Sequence, residues 1–178
     1  LAKMIMSQRG GNPEVMAGKF LKGEILDEDM AIAGAKDIIA EWMNENGSLR
    51  ERLRQQFERK SMLTSKLVKG KEVAAEKYRD YFEYSQSLER CPSHRFLAIY
   101  RANREGLLNV KARPEEEQIL GQMQRFFVKG NDACADIVSD TCTDSYRRLL
   151  RPSLENEALS NAKERADKDA IGVFSKNL

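Results

Sequence analysis

The chain has 178 residues, of which 41% are hydrophobic and 33% are charged, and its formal net charge is +2. This composition suits a globular helical protein and argues against a disordered one. No apolar run approaches the ~20 residues needed to cross a bilayer, and no signal peptide opens the sequence, so we expect a cytoplasmic protein without membrane contact. The chain starts at Leu1 and its first residues resemble the middle of a helix, so we interpret it as a piece of a longer protein.

Charge is distributed unevenly along the chain. From Glu24 to Glu45 there are seven acidic residues and one lysine, a local charge of −6. From Arg50 to Arg79 there are ten basic residues and four glutamates, a local charge of +6. Such separation indicates either a partner surface or neighbouring elements that pair with each other.

Residues 1–60 are predicted to form a helical, helix-turn-helix-like part. Asp27 is a typical N-cap, and apolar residues at helical spacing follow it: Ile32, Ala35, Ile39, Trp42 and Met43. Asn46-Gly47 is predicted to end this helix, because glycine accepts the left-handed conformation of a helix C-terminus. Ser48 and Glu51 then match a capping box that would begin a second helix.

Residues 61–113 are predicted to be a mixed segment of short strands and helices. We expect a short strand over 62–68, a helix over 72–84 and another helix capped by Ser93. Gly106 ends that last helix, and the following residues 107–111 alternate enough to form a second strand that pairs with 62–68. This pair would be one small β-hairpin-like element.

Residues 114–178 are predicted to be helical. A core stripe runs through Ile119, Leu120, Met123, Phe126 and Phe127, and a second stripe begins at Ala133. Arg151-Pro152 is predicted to break that second helix, and Ser153 to cap a final helix with a row of alanines. The predicted fold class is therefore mainly α: a multi-helix array with helix-turn-helix-like hairpins and one small β-hairpin-like element.

No set of residues indicates catalysis, so we expect neither an enzyme nor a cofactor or metal ion. The only histidine, His94, adjoins Ser93, but neighbouring residues at a helix start point about 100° apart and do not make a catalytic pair. Lys69-Gly-Lys-Glu72 lacks the second glycine and the hydroxyl of a phosphate-binding loop. The cysteines Cys91, Cys134 and Cys142 lack metal-ligand spacing and are expected to be reduced, packed thiols.

The basic stretch 48–71 is the candidate binding segment. Six side chains could meet nucleic-acid phosphates: Arg50, Arg54, Arg59, Lys66, Lys69 and Lys71. Two alternatives stay open, a merely solvated helix face and a DNA-recognition helix in the hairpin 27–59. The aromatic string Tyr78, Tyr81, Phe82 and Tyr84 could stack on bases, although its spacing favours packing between helices.

Several blocks of the chain, in order from about residue 30, resemble the Tex family of bacterial transcription accessory proteins. They are Ala33-Gly-Ala-Lys-Asp-Ile-Ile-Ala-Glu41, Val68-Lys-Gly-Lys-Glu72, Lys77-Tyr-Arg-Asp-Tyr-Phe-Glu-Tyr-Ser85, Pro92-Ser-His-Arg95, Glu105-Gly-Leu107, Tyr146-Arg-Arg-Leu-Leu150, Pro152-Ser-Leu-Glu155 and Lys163-Glu-Arg-Ala-Asp167.

This resemblance implies a function that the residues alone do not. In the Tex family an N-terminal helical part precedes an RNase H-like domain, helix-hairpin-helix motifs and a C-terminal RNA-binding OB-fold domain. The chain would then be the helical part that leads toward the RNase H-like domain. The resemblance implies a non-catalytic scaffold that positions domains elsewhere in the full-length protein, with RNA or DNA and the transcription machinery as partners. The alternative is a nucleic-acid-binding module that acts through residues 48–71.

Overall fold

Eight α-helices and three β-strands make up the computed structural model, which describes residues 1–178. The helices are α1 Ala2–Ser7, α2 Pro13–Ala17, α3 Glu28–Glu45, α4 Gly47–Lys60, α5 Ser93–Arg104, α6 Glu116–Phe127, α7 Ala133–Ser145 and α8 Arg151–Lys176, and the strands are β1 Met62–Leu67, β2 Glu83–Ser87 and β3 Leu108–Arg113. Short 3₁₀ segments cover Gly18–Phe20 and Glu76–Tyr81, and a π-helical segment covers Tyr146–Leu150. The prediction of a mainly α fold with a small β element is confirmed.

The chain divides into two compact units, and each unit is built from two separated segments. Unit 1 contains residues 1–52 and 116–152, and unit 2 contains residues 53–115 and 153–178. This grouping differs from the three consecutive parts 1–60, 61–113 and 114–178 expected from the sequence. Sequence patterning is local, so it could not indicate that distant segments belong to one unit.

A single residue separates α3 from α4. The Asp27 carboxylate accepts the Met30 N–H at 2.8 Å and caps α3, as predicted. The predicted end of α3 at Asn46-Gly47 is confirmed, but the predicted caps are wrong: Gly47 is the first residue of α4, and it is the Asn46 side chain that accepts the Leu49 N–H at 2.9 Å. Asn46 adopts extended backbone angles (φ −68°, ψ 106°), which end one helix while its side chain begins the next. Neither a left-handed glycine nor a Ser48 cap is involved.

The three strands form an antiparallel sheet in the order β2-β1-β3. The predicted pairing of the first and last strands is confirmed, with Met62 opposite Arg113 and Leu67 opposite Leu108. The middle strand in sequence, β2, was not predicted, and the helix expected over 72–84 is wrong. Only Glu76–Tyr81 forms a 3₁₀ segment, and Tyr78 interrupts it with φ −105° and ψ 21°. After this 3₁₀ segment, exposed Glu83 and Ser85 alternate with half-buried side chains. This two-residue period is that of a β-strand.

Unit 1 has a core of helix-to-helix contacts. Apolar side chains of α3, α6 and α7 are buried there, including Ile39, Met43, Ile119, Met123 and Phe127. The buried Ser145 hydroxyl donates to the Ala40 carbonyl at 2.8 Å and links α7 to α3. The thiols of Cys134 and Cys142 are free and buried in this core, and burial raises the pKa of Cys142 to about 12.

Pro152 does not break the chain into two helices, contrary to the prediction. The π-helical segment Tyr146–Leu150 joins α7 to α8, and the Arg151 N–H donates to the Tyr146 carbonyl five residues back. Pro152 is the second residue of α8 and follows the π-helical segment directly, so the wider turn of that segment, and not a helix end, precedes the proline. No Ser153 cap is needed. The predicted alanine row is confirmed for Ala158, Ala162 and Ala166, which are buried in unit 2.

The apolar spacing of the sequence predicts burial of Trp42, Phe57, Tyr81, Phe127 and Phe174, and two of these five aromatic residues lie at the surface instead. Trp42 is 37% exposed and Phe174 is 66% exposed. On α3 the buried positions are Ala31, Ala35, Ile39, Ala40 and Met43. Trp42 therefore lies at the margin of the buried face, one residue before Met43, where the periodicity alone could not exclude burial.

Candidate nucleic-acid interface

The six basic residues of the candidate binding segment do not form one group. Arg50 belongs to unit 1, whereas the other five belong to unit 2. The Arg50 guanidinium donates to the Asn44 carbonyl at 3.3 Å and to the Asn44 side-chain oxygen at 3.0 Å. It therefore bridges the end of α3 and the first turn of α4, next to the Asn46 cap.

Arg54 is occupied by an ion pair within unit 2. Its Nε lies 2.8 Å from Glu157 Oε2, and both side chains are a little over one third exposed. The pair joins α4 to α8 across 103 residues of sequence. Arg59, in contrast, is exposed in the last turn of α4, where a positive charge complements the negative end of the helix dipole.

Lys66, Lys69 and Lys71 lie at one end of the sheet. Lys66 is exposed on β1, opposite Glu83 of β2 and Asn109 of β3. Lys69 and Lys71 flank Gly70, whose φ of +83° makes the tight turn that follows β1. The Lys71 N–H closes this turn on the Val68 carbonyl at 3.1 Å. The backbone thus brings three exposed ammonium groups to the same end of the sheet.

Sequence reasoning missed Lys111 as a member of this group. Lys111 is exposed on β3 opposite Thr64, two positions along the sheet from the Lys66–Asn109 pair. Diagonal neighbours of this kind are ~7–8 Å apart, within reach of the same phosphate backbone. The alternation at 107–111, used to predict the strand, could have identified Lys111, because Lys66 and Lys111 share a face once those strands pair. We name Lys66, Lys69, Lys71 and Lys111 the lysine patch.

The aromatic string packs inside unit 2. Tyr78 is buried in a cluster with Ala75, Ala102, Leu107 and Leu108. The Tyr81 and Tyr84 rings meet edge to face with centroids 5.3 Å apart, and Tyr84 is hydrogen-bonded to Gln86. Burial, followed by the nearby Tyr84, raises the pKa of Tyr81. These aromatic side chains therefore pack within the protein, as their spacing suggested, although they lie on a 3₁₀ turn and a strand and not on a helix.

The Ser93 hydroxyl donates to a carboxylate of α8. The acceptor is Asp169 Oδ2 at 2.7 Å, and neighbouring His94 is exposed. Ser93 does not cap α5 with its side chain as predicted, since Pro92 holds the N-cap position without a side-chain hydrogen bond. A cavity of about 320 Å³ lies beside Ser93 and is also lined by Cys91, Arg165 and Lys168. Burial raises the pKa of the Cys91 thiol, which opposes thiolate formation there.

The structure contains neither a metal-binding cluster nor a membrane-spanning helix. No group of three or more His, Cys, Asp or Glu side chains is placed to hold a metal ion. None of the helices has the length and apolar character required to span a bilayer.

Comparison with known proteins gives the family. The Tex central region-like family matches residues 8–174. The chain belongs to this family. The transcriptional accessory protein Tex of Neisseria gonorrhoeae is 34% identical over 187 aligned positions, covering 100% of this chain and 24% of that protein. The protein YhgF of Escherichia coli is 33% identical and the protein tex of Bordetella pertussis 31% identical, each covering the whole chain and 25% and 24% of the relative.

These matches confirm the family resemblance found in the sequence blocks. The chain spans about a quarter of the length of the curated relatives it matches. The Tex central region-like match extends across both units, since residues 8–174 include segments of each.

Proposed function

We propose that this chain is a non-catalytic helical scaffold of a transcription accessory protein, and that it positions nucleic-acid-binding domains located elsewhere in the full-length protein. The name of the Neisseria gonorrhoeae relative, a transcriptional accessory protein, supports the transcription setting. RNA or DNA would be partners of the whole protein, through those other domains, together with components of the transcription machinery. The soluble, cytoplasmic setting expected from the sequence belongs to this proposal.

The main support for the scaffold role is that arginine side chains form ion pairs within each unit. In unit 2, Arg54 pairs with Glu157, and Arg113 Nε lies 2.6 Å from Glu155 Oε2. In unit 1, Arg147 pairs with Glu116 at 2.9 Å. Arginine is the preferred side chain for phosphate, because its planar fork binds two oxygens at once. Here those forks join helices and strands that are distant in sequence.

The hydrogen bond of Ser93 supports the non-catalytic part of this proposal. The Ser93 hydroxyl, the nucleophile adjacent to the histidine, donates its hydrogen bond to the Asp169 carboxylate and not to His94. A nucleophilic serine needs a base that accepts its proton and is itself oriented by a third group.

A nucleic-acid-binding module is the second candidate function, and the lysine patch favours it. These four ammonium groups are exposed, and flexible lysines meet phosphates as point charges. Glu83 opposes Lys66 directly across the sheet, so part of the positive charge is offset. We therefore expect any nucleic-acid binding by this chain to be weak and without sequence preference.

Binding measurements at two salt concentrations test both candidates. Labelled single- and double-stranded RNA and DNA are titrated with the chain at about 0.05 and 0.2 M salt, where each phosphate contact changes the log-log slope by roughly 0.7 to 0.9. The scaffold role predicts weak binding that fades at the higher salt. A triple variant, Lys66→Ala, Lys69→Ala and Lys71→Ala, should remove the residual binding.

The matched control is a triple variant of exposed lysines in unit 1, Lys19→Ala, Lys22→Ala and Lys129→Ala, which should bind like the unaltered chain. Submicromolar binding that survives the higher salt and is lost in the first variant would reject the scaffold role and establish the binding module.

A further inference from the structure

The outward face of α3 carries a row of apolar side chains. Met30, Ile38 and Trp42 are 45%, 48% and 37% exposed, and Gly34 fills the remaining position of the four-residue spacing. Residues four apart are neighbours on a helix surface, so this row is continuous along α3. We name Met30, Gly34, Ile38 and Trp42 the α3 ridge. Single exposed apolar residues are ordinary, but three large ones aligned along one helix are typical of an interaction site.

Carboxylates run alongside the α3 ridge. Asp37, Glu41 and Glu45 are exposed, and each lies three residues after a member of the ridge, which makes them surface neighbours of it. An Arg148 nitrogen lies 3.7 Å from Asp37 and the guanidinium also interacts electrostatically with Glu41, but the same nitrogen is only 2.9 Å from Asp144, with which it makes the closer pair. The acidic row therefore stays negative overall.

Gly34 has no structural reason within unit 1 to be glycine. It lies in the middle of a helix, and a Cβ built there would meet no atom within 4 Å. Glycine is the least favourable helix residue after proline, because it loses the most backbone freedom on folding. Its effect at this position is to leave a notch between Met30 and Ile38, where the backbone of another helix can approach α3 closely.

We propose that the α3 ridge docks an amphipathic helix of a partner protein, one whose apolar stripe is flanked by lysine or arginine. Such helices bind through apolar anchors at helical spacing, and Trp42 is the type of residue that dominates binding energy at interfaces. The acidic row selects the basic flank and would speed association.

The same charges argue against other occupants. A second copy placed ridge to ridge would bring two acidic rows together, and an anionic membrane surface would repel them. The docking site lies entirely in unit 1 and does not depend on the scaffold role proposed above.

Trp42 provides the test, because it is the only tryptophan of the chain. The probe is a synthetic peptide of about 18 residues with leucines at helical spacing and lysines and arginines on both flanks, long enough to form a helix on the surface. A twin peptide carries glutamates in place of every lysine and arginine. We expect the basic peptide to shift Trp42 emission to the blue in a saturable manner, more weakly at higher salt, and the acidic twin to cause no shift.

Variants that keep Trp42 locate the site. Ile38→Asp should weaken peptide binding by at least about tenfold, the loss expected at the centre of an interface. Gly34→Gln should weaken it similarly by filling the notch, and it favours the helix, so unfolding cannot explain the loss. The double variant Glu41→Lys and Glu45→Lys should bind the acidic twin more tightly than the basic peptide. Glu117→Lys, which reverses an exposed carboxylate on α6, is the matched control and should leave binding unchanged.

Three outcomes would overturn the proposal. The first is an equal response of Trp42 to both peptides, or no response to either. The second is a dimer of the chain in analytical ultracentrifugation that Ile38→Asp converts to a monomer, which would make a second copy the occupant. The third is a blue shift with vesicles of anionic phospholipid but not with the basic peptide.

Discussion

Units 1 and 2 satisfy their backbone polar groups in different ways. Unit 1 is helical, and a helix needs outside partners only at its ends, which Asp27, Asn46 and Asp132 supply as N-caps. Unit 2 contains the sheet, whose outer strand β3 presents unpaired groups along an edge. Glu155 of α8 accepts the Ala112 N–H at 3.0 Å and also pairs with Arg113. An ionic side chain therefore completes the sheet edge of unit 2, whereas the ion pair of Arg147 with Glu116 in unit 1 joins helices whose backbone groups are already paired.

The largest expected effect tests the packing of unit 1. Phe127→Ala should lower the free energy of unfolding by about 3–5 kcal/mol, because a buried ring is replaced by a cavity. Chemical denaturation followed by circular dichroism measures it. The matched control is Phe174→Ala on the exposed end of α8, which should change stability by less than about 0.5 kcal/mol. Equal losses for both variants would contradict the assignment of Phe127 to the core.

A second prediction concerns the carboxylate that completes the sheet of unit 2. Glu155→Ala should cost about 1–3 kcal/mol, since the Ala112 N–H loses its acceptor and Arg113 its partner. In unit 1, Asp144→Ala removes an exposed pair with Arg148 four residues along the same helix and should cost less. Urea denaturation of both variants compares them. If Asp144→Ala lowered the free energy of unfolding more than Glu155→Ala, the carboxylate at the sheet edge would not be the more important of the two.

A third prediction uses the buried thiol of unit 1. The folded chain holds the pKa of Cys142 at about 12, above the value of 9.0 for an exposed thiol. Between these values the folded state keeps a proton that the unfolded state has lost, so stability should fall as pH rises from 9 toward 12. The contribution is on the order of 1 kcal/mol per pH unit.

Denaturation of the unaltered chain and of Cys142→Ala over this pH range isolates the contribution of the thiol. The unaltered chain should lose stability more steeply with pH above 9, and the two should have parallel profiles below it. Identical slopes above pH 9 would show that the Cys142 thiol is accessible to water.

The smallest expected effect concerns the surface of unit 1. Gly34→Ala should raise stability by about 0.5–1 kcal/mol, because alanine fits the helix and its Cβ meets no atom within 4 Å. Thermal unfolding measures the gain. A loss of stability would indicate a contact at Gly34 and remove one support for the docking site.

The sequence predicted those features that are encoded within a few residues. The Asp27 cap, the stripe of α6 and the pairing of β1 with β3 were all predicted correctly, because caps, period and turn residues are local signals. Strand β2 was missed because the aromatic residues around Tyr81 and Tyr84 satisfy a helical spacing as well as a strand alternation. The helix break at Pro152 was wrong because a π-helical segment precedes it, and that geometry has no residue signature.

The candidate site was less predictable than the fold. Whether a basic side chain is available for phosphate depends on its partners, and the partner of Arg54 is Glu157, 103 residues away. No local pattern reveals such a pair. Lys66, Lys69 and Lys71 are exposed as a binding role requires, and their contact with nucleic acid stays a prediction.

The interleaving of the two units has a consequence for how the chain is made. Unit 1 requires residues 116–152 in addition to 1–52, so it cannot close while residues 53–115 are still being synthesised. Most multidomain proteins fold one domain at a time as the chain leaves the ribosome. Here the first 52 residues must wait, with the apolar faces of α1 and α3 uncovered, until the hundred-odd residues that follow have emerged. Nascent chains stalled before residue 116 should therefore be more sensitive to protease than chains stalled well beyond residue 152.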